Sequence, residues 1–402
     1  MSYYLTKILN LQSLEIKSVK QTKKEILVKI KQRRKTADCP HCSRKRVKKV
    51  YDYRPQSKVR HLKIGSKTVY LLIRKRRFVC SNCGKRFTEQ ISGLNHRAKV
   101  TEAAKWQALS QLKDRSFSSA SRVNEISYHS QVKWLINNLG RLINNWEKEL
   151  EQKGRDLAIG IDEISFSGHD MLLTLTNLTD HLIKGIFPNN SKSTLKKALE
   201  QIPDVIAQKI KWVCIDMSYN YLKTIKDVLP QAKVVVDHFH VIAYANDQID
   251  EQRRILQDHH KKEIPKKIWL RNRESLDKKE REKIKKLLKE YPEMKLYWLA
   301  KEKLRQTYAK PSRKEAQNLL SAIIKKLANT DDPGLQKWSR TLTRFEDQIL
   351  NYYDSGGLTN AYTEGVNNKL KLVKRTSFGF RNKKVFIAKA LFSFLWAFCL
   401  PH

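Results

Sequence analysis

Two cysteine pairs of identical spacing, Cys39-Pro-His-Cys42 and Cys80-Ser-Asn-Cys83, carry the most specific chemistry in the chain. Four thiolates are the ligand set of a closed structural zinc site, and a two-residue gap lets both sulfurs of a pair reach one tetrahedral ion. The interval over residues 43–79 is longer than in the most compact zinc ribbons. A hairpin spans it nonetheless, and Gly84 helps the chain turn after the second pair. Neither pair sits in the strand-helix context of a redox Cys-x-x-Cys.

A second set of residues is acidic. The apolar run at 157–161 ends in Asp162, the run at 212–215 in Asp216 and the run at 233–236 in Asp237, while Glu364 lies on a predicted helix far along the chain. Neighbouring strand ends of an open mixed sheet meet at one edge, so Asp162 and Asp216 can face one site. With Glu364 they supply oxygen ligands for two hard cations, magnesium or manganese. Two such ions about 3.5–4 Å apart activate an oxygen nucleophile, stabilise pentavalent phosphorus and hold the leaving oxygen in line. Glu163 is expected on the opposite face of its strand, away from this set.

The elements that position these groups follow from periodicity. Residues 1–37 alternate apolar and basic positions and read as one or two short strands, and 68–73 reads as a strand leading into the second cysteine pair. The quartet and its interval are expected to form one metal-organised unit. From Thr101 to about Glu151 the period becomes helical, and three helices fit, with Thr101, Ser118 or Ser119, and Ser130 as caps: the layout of a helix-turn-helix unit. Lys153-Gly154-Arg155 reads as a linker. Residues 157–237 give three strands followed by two helix-strand units. A charged helical insertion over about 241–350 follows, then a helix over 360–372, a basic stretch with Phe378-Gly379-Phe380, and an apolar C-terminal helix. The expected domains are 1–98, 99–153 and 154–402.

Lys and Arg number 81 against 40 Asp and Glu, a net charge of +41. Solubility does not require so much, and a polyanionic partner is implied. Residues 43–79 hold 14 Lys or Arg and one acid, Asp52, interleaved with Tyr51, Tyr53, Tyr70 and Phe78. Phosphate binding with some stacking on bases or sugars is expected there, through Arg44, Lys45, Arg46, Lys48, Lys49, Arg74, Lys75, Arg76 and Arg77. Lys369, Lys371, Lys374, Arg375 and Arg381 follow Glu364 closely and can position phosphate beside the acidic site. Phe378 and Phe380 are expected in core or turn packing rather than on bases. No apolar run approaches the length of a membrane span, and the six cysteines suit a reducing, cytoplasmic compartment. Cys214 and Cys399 read as small buried residues.

Both cysteine pairs, Gly160-Ile161-Asp162-Glu163, Val236-Asp237-His238-Phe239-His240, the string from Glu364 to Lys371 and Gly379-Phe380-Arg381-Asn382 occur in this order over nearly the whole chain. Together they resemble bacterial insertion-sequence transposases of the ISL-three group. That resemblance implies a multidomain α+β and α/β protein with an RNase H-like catalytic fold, an Asp/Asp/Glu triad, and zinc-binding and helix-turn-helix domains that recognise terminal inverted repeats in double-stranded DNA. It implies a homodimer or higher oligomer, because two element ends are handled together. Asp162 matches the first family carboxylate and Glu364 the last. Asp216 is favoured as the middle one, with Asp237 the alternative; Asp237 and His240 otherwise read as accessory residues that contact DNA or order the metal shell. A zinc-dependent DNA-binding regulator and a structure-selective nuclease are the competing functions, and retention of all three carboxylates speaks against the regulator.

Overall fold

The computed structural model describes residues 6–7, 9, 11, 13–91, 94, 98–137, 146 and 154–395. The chain divides into two compact units, Met1–Leu142 with Val373–His402, and Ile143–Leu372. By this division the C-terminal helix falls with the first unit.

In the first unit, β1 (Leu14–Gln21), β2 (Glu25–Gln32), β4 (Ser57–Ile64) and β5 (Lys67–Ile73) form a sheet of order β1-β2-β5-β4. Alternation fixes its inner face: Val28, Ile30, Val59, Val69, Leu71 and Ile73 are buried together with Leu14. A second sheet, β3 (Val50–Tyr53), β6 (Arg76–Val79) and β7 (Arg86–Thr88), closes over a separate small core of Cys39, Val47, Phe78, Cys80 and Phe87. The interval between the cysteine pairs is therefore not one metal-organised unit. Its central hairpin carries enough alternating apolar residues to join the β1-β2 sheet, with β5 parallel to β2.

Three helices follow, α1 (Glu102–Ser110), α2 (Phe117–Asn124) and α3 (Tyr128–Asn137). Thr101 caps α1 as expected, its hydroxyl accepting from the Ala104 N–H at 3.2 Å. The other two caps are displaced by three or so residues: Ser116 caps α2, and Ser127 accepts from the Ser130 N–H. In each case a serine upstream of the expected one bonds an N–H that would otherwise lack a partner in the first turn. The expected third helix continues past residue 137, outside the described residues, as do Lys153 of the linker and Cys399.

The second unit is built on a five-stranded sheet of β8 (Leu157–Ser167), β9 (Asp170–Asn177), β10 (Leu182–Phe187), β11 (Ile210–Ile215) and β12 (Lys233–Val236), in the order β10-β9-β8-β11-β12. The first three strands are antiparallel, while β11 and β12 run parallel to β8. Crossovers run through α4 (Lys192–Glu200) and α5 (Asp204–Ala207), then α6 (Tyr219–Val228). One helix had been expected where α4 and α5 stand; Pro203, which has no N–H to donate, separates them. Seven helices fill the expected insertion: α7 (His238–His260), α8 (Lys266–Leu270), α9 (Lys278–Glu290), α10 (Met294–Tyr308), α11 (Arg313–Ala328), α12 (Pro333–Arg344) and α13 (Glu346–Asp354). Then come α14 (Ala361–Thr376) and α15 (Lys383–Leu395). No described helix is long and apolar enough to cross a membrane.

Candidate active site and zinc centre

The four cysteine sulfurs lie within 4.8 Å of one another. Cys39 and Cys83 are 3.8 Å apart and Cys42 and Cys80 3.6 Å apart, sulfur to sulfur. A tetrahedron with zinc-sulfur bonds of about 2.3 Å has edges of about 3.8 Å, so the quartet has the size of a zinc site. The backbone N–H of Arg44 and the side chain of Asn82 hold the Cys42 thiol down to about 6. Gly84 follows in the left-handed region, φ +66°, and its N–H bonds the Cys80 carbonyl.

The basic residues around this centre separate into two groups. Arg44, Lys45, Arg46, Lys48, Lys49 and Arg74 are exposed. Lys75 is buried, and Arg76 is tied to the buried Glu89 at 2.6 Å and to the carbonyls of Arg34 and Lys35. Arg77 pairs with Asp52. Arg76 thus organises the module, and Lys75 is withdrawn from the surface on which a phosphate would lie. Phe78, expected to stack on DNA, is fully buried against Phe87; it belongs to the core because it sits on the inward side of β6. Tyr51 and Tyr53 do stand exposed, with Arg86 3.8 Å above the Tyr51 ring and Arg74 5.6 Å from that of Tyr53. Arg86 escaped the sequence reading because it lies beyond the second cysteine pair.

In the second unit, register brings the acids together. Cys214 pairs with Gly160, so Asp216 and Asp162 each stand two residues beyond the same ladder pair. Ile215 pairs with Val236, which puts Asp237 opposite Asp216. Three aspartates therefore share one row. Asp162 is not at the end of its strand, since β8 continues to Ser167 on β9; it is the β11 ladder that stops.

Hydrogen bonding separates the three. Asp237 caps α7 by accepting from the Phe239 N–H at 3.0 Å, and its other oxygen accepts from the Asn360 N–H at 3.0 Å. Burial pushes its carboxyl up, but His238 and these two N–H groups outweigh that and hold it below the ordinary value. Asp216 accepts only a local bond, from the Ser218 N–H at 3.1 Å. Burial, then the charges of Glu163 and Asp162, push it up to about 6, against the opposing charge of His240. Burial likewise raises Asp162, opposed by the Glu163 N–H and His240. His240 thus lies near enough for its charge to act on both acids.

Glu163 is not remote from this row. Its carboxylate accepts from the Tyr221 hydroxyl at 2.6 Å and from the Asn190 amide at 2.7 Å, and it is the foremost charge acting on Asp216. Its side chain does leave the strand on the other side from Asp162, but α6 and the loop before α4 hold it close to the β11 end.

Helix α14 docks on this edge through uncharged residues. Thr363 meets Thr176 at 2.7 Å, and Asn360 donates to the Ile161 carbonyl at 3.1 Å. Asn367 donates to Asp162 at 2.8 Å and accepts from Thr174 at 2.8 Å. Gly160 permits the approach: a Cβ there would stand 2.3 Å from both Asn360 Oδ1 and Thr363 Oγ1. Glu364, one residue on from Thr363, is exposed. Among the described residues the cysteine quartet is the one group of three or more Cys, His, Asp or Glu side chains close enough to hold a metal ion, so the acids are not gathered into such a group. Farther along the chain Lys371, Arg375 and Arg381 are exposed, and Lys369 and Lys374 lie on α14. Asn360, Thr363, Asn367 and Gly160 were quoted or passed over in the sequence without a role; the Gly before the first Asp was the available signal.

A strand row of acids, a helix carrying a further acid and a four-cysteine cluster sized for zinc can be set beside known proteins. Residues 159–390 match the family model of ISL3 transposases, and residues 35–83 match the zinc-finger of transposase IS204/IS1001/IS1096/IS1165. The first match covers more than half the chain, which belongs to the ISL3 transposase family. It is 28% identical to the transposase for insertion sequence element IS1001 of Bordetella parapertussis over 83% of each chain. It is 25% identical to the transposase for insertion sequence element IS1557 of Mycobacterium tuberculosis, over 63% of each.

Phe380 packs against Phe386 with ring centroids 5.2 Å apart, as expected, but Phe378 does not pack: it is 94% exposed.

Proposed function

We propose that Asp162, Asp216 and Glu364 hold two magnesium or manganese ions and that the protein cuts and joins DNA at the ends of an insertion sequence. The observation that carries this is the in-register pair Asp162 and Asp216, with the Glu364 helix fastened to the same edge through Asn367. The sheet order β10-β9-β8-β11-β12 supports an RNase H-like fold, in which the fourth strand lies beside the first. Asp216 is the favoured middle ligand because both Asp237 oxygens already accept backbone N–H groups. Asp237 then acts by fixing α7 and Asn360, and His240 faces the acids as a positive or hydrogen-bonding neighbour.

When bound, the ions supply a Lewis-acid pair for phosphoryl transfer. The chain's own residues orient Asp162 through Asn367, exclude water behind the acids with the apolar strand ends, and balance charge through His240. Helices α1 to α3 fit a helix-turn-helix unit, with α3 entering the major groove, and the exposed cations from Arg44 to Lys49 grip phosphates. The ligand is double-stranded DNA carrying terminal inverted repeats, handled by a homodimer or larger assembly in the cytoplasm.

The test is incubation of the full chain with candidate terminal-repeat DNA and magnesium, followed by mapping of nicks and joined strands. Breaks leaving 3′-hydroxyls that reappear joined to target DNA are expected. Breaks without joining would make the protein a nuclease, and equal cleavage by Asp162→Asn and Asp216→Asn proteins would end the metal-site assignment.

A further inference from the structure

Helix α14 ends in a turn whose hydrogen bonds are those of a Schellman motif. The Gly379 N–H bonds the Lys374 carbonyl at 3.0 Å, and the Phe378 N–H bonds the Arg375 carbonyl at 3.0 Å. In this motif the residue at the Phe378 position adopts left-handed backbone and is usually glycine, because a side chain there is strained. Here a phenylalanine occupies it at φ +57°, and Gly379 follows at φ +89°. A bulky residue at positive φ is an outlier that persists only where the surroundings impose it.

The surroundings do impose it. Lys389, buried in α15, donates to the Ser377 hydroxyl at 2.5 Å and to the Arg115 carbonyl at 2.7 Å. On the other side, Phe380 packs on Phe386. The turn is pinned one residue before Phe378 and two residues after it, and the ring between the two pins is 94% exposed. A phenylalanine in that state is opposed twice, by hydration of its ring and by its backbone, and no packing contact compensates. The flanks are cationic: residues 365–402 contain eight Lys or Arg and no Asp or Glu. Arg375 and Arg381, three residues to either side, are exposed.

We propose that Phe378 is a DNA wedge, its ring stacking on the face of a base while Arg375 and Arg381 hold the neighbouring phosphates. An exposed aromatic between cations fits a base and its backbone at one place, and apolar wedges of this kind enter base steps or cover unstacked bases. The proposal rests on the reading of the protein as a DNA-acting transposase, and its test reads binding rather than cleavage.

The test uses the full chain with Phe378→Gly, Phe378→Leu and Phe378→Trp, titrated by fluorescence anisotropy against a labelled 20-base-pair duplex and the same strand unpaired. Phe378→Gly should fold with an unchanged or higher melting temperature, since glycine relieves the left-handed strain. It should bind one of the two DNA forms on the order of tenfold more weakly, the loss expected for one base stack. The slope of log affinity against log salt should stay the same, because no phosphate contact is removed. Phe378→Trp should restore binding and Phe378→Leu should not. The DNA form that loses affinity identifies the source, a base step within the duplex or an unpaired base. Affinity within twofold of the parent for both forms would overturn the proposal, as would a fall in melting temperature typical of a core residue. So would a loss seen instead in anionic vesicle binding, or in self-association without DNA. If the parent protein bound neither DNA, the transposase reading itself would fail, a distinguishable result.

Discussion

The side-chain amide of Asn367 donates to Asp162 at 2.8 Å while its carbonyl accepts from Thr174 at 2.8 Å, so one buried residue of α14 joins the first acid to the sheet behind it. Asn367→Ala leaves Asp162 unoriented and Thr174 without this acceptor, and a buried group left unpaired costs about 1–3 kcal/mol. A lower melting temperature and cleavage reduced by roughly tenfold or more are expected. Because the zinc module is untouched, binding of DNA should change little; a variant that cleaves at the parent rate would remove Asn367 from the site.

Gly160 supplies a sharper version of the same test. Adding a methyl group at Gly160 places it 2.3 Å from Asn360 and Thr363, side chains that are themselves held by Ile161, Thr176 and one another. The helix must move, because its contacts here are short and buried. Gly160→Ala is expected to lose on the order of 1–3 kcal/mol of stability through overpacking. Cleavage should fall further than stability accounts for, measured at a temperature where the variant remains folded.

Much of this was legible in the sequence, for identifiable reasons. The cysteine spacing, the runs ending in Asp162, Asp216 and Asp237, and the break from period 2 to period 3.6 near Thr101 are local signals, and the elements stand where they point. What escaped depends on contacts distant in sequence. Asn367 and Asp162 are brought together across about 200 residues, and Asn reads as surface in any helix. The same limit applied to Arg76, whose partner Glu89 lies on another strand, and to β5, which left the zinc unit to pair with β2. Phe378 was misjudged because hydrophobicity alone favours burial; its left-handed backbone is set by a turn that the sequence does not spell.

The raised Asp216 carboxyl sets a pH dependence. Its ordinary value is 3.8 and burial among other acids brings it to about 6 in the folded protein. Between those values the native state keeps a proton that the unfolded chain releases, so the contribution of Asp216 to stability falls as pH rises from about 4 to about 6, then levels. The size is of the order of 2–3 kcal/mol, and Asp162 acts in the same direction. Magnesium must displace that proton, so metal binding should weaken as pH falls through about 6. Calorimetric melting of the parent and of Asp216→Asn, with and without magnesium from pH 4 to 8, checks both trends: the parent should lose stability relative to the variant between pH 4 and 6, and a parent that gains on the variant there would contradict them.

Removing zinc should melt the smaller sheet of the first unit. Its core is little more than Val47, Phe78, Phe87 and the cysteines, too small to hold three strands under so much positive charge without the metal. Cys80→Ser, or chelation, should abolish end binding and expose the β3-β6-β7 amides to hydrogen exchange. The amides of the β1-β2-β5-β4 sheet, with its own core, should stay protected; their joint loss would mean that the two cores fold as one.

Asp216 and Asp237 stand opposite one another in register and should respond oppositely to mutation. At Asp216 burial disfavours the charge, so Asp216→Asn should raise the melting temperature of the metal-free protein above pH 6 while removing metal-dependent cleavage. At Asp237 the carboxylate caps α7 and receives the Asn360 N–H, so Asp237→Ala should lower stability by about 1–3 kcal/mol. Asp237→Asn keeps an oxygen for the cap and is expected to retain measurable cleavage. Glu163 is no neutral control for this pair, because its charge helps to raise Asp216. Glu163→Gln should therefore bring the acidic limb of the pH profile of cleavage to lower pH. Cleavage abolished by Asp237→Asn and retained by Asp216→Asn would put the second metal ligand on β12 rather than β11, and the hydrogen bonds that now occupy Asp237 would then have to open when metal binds.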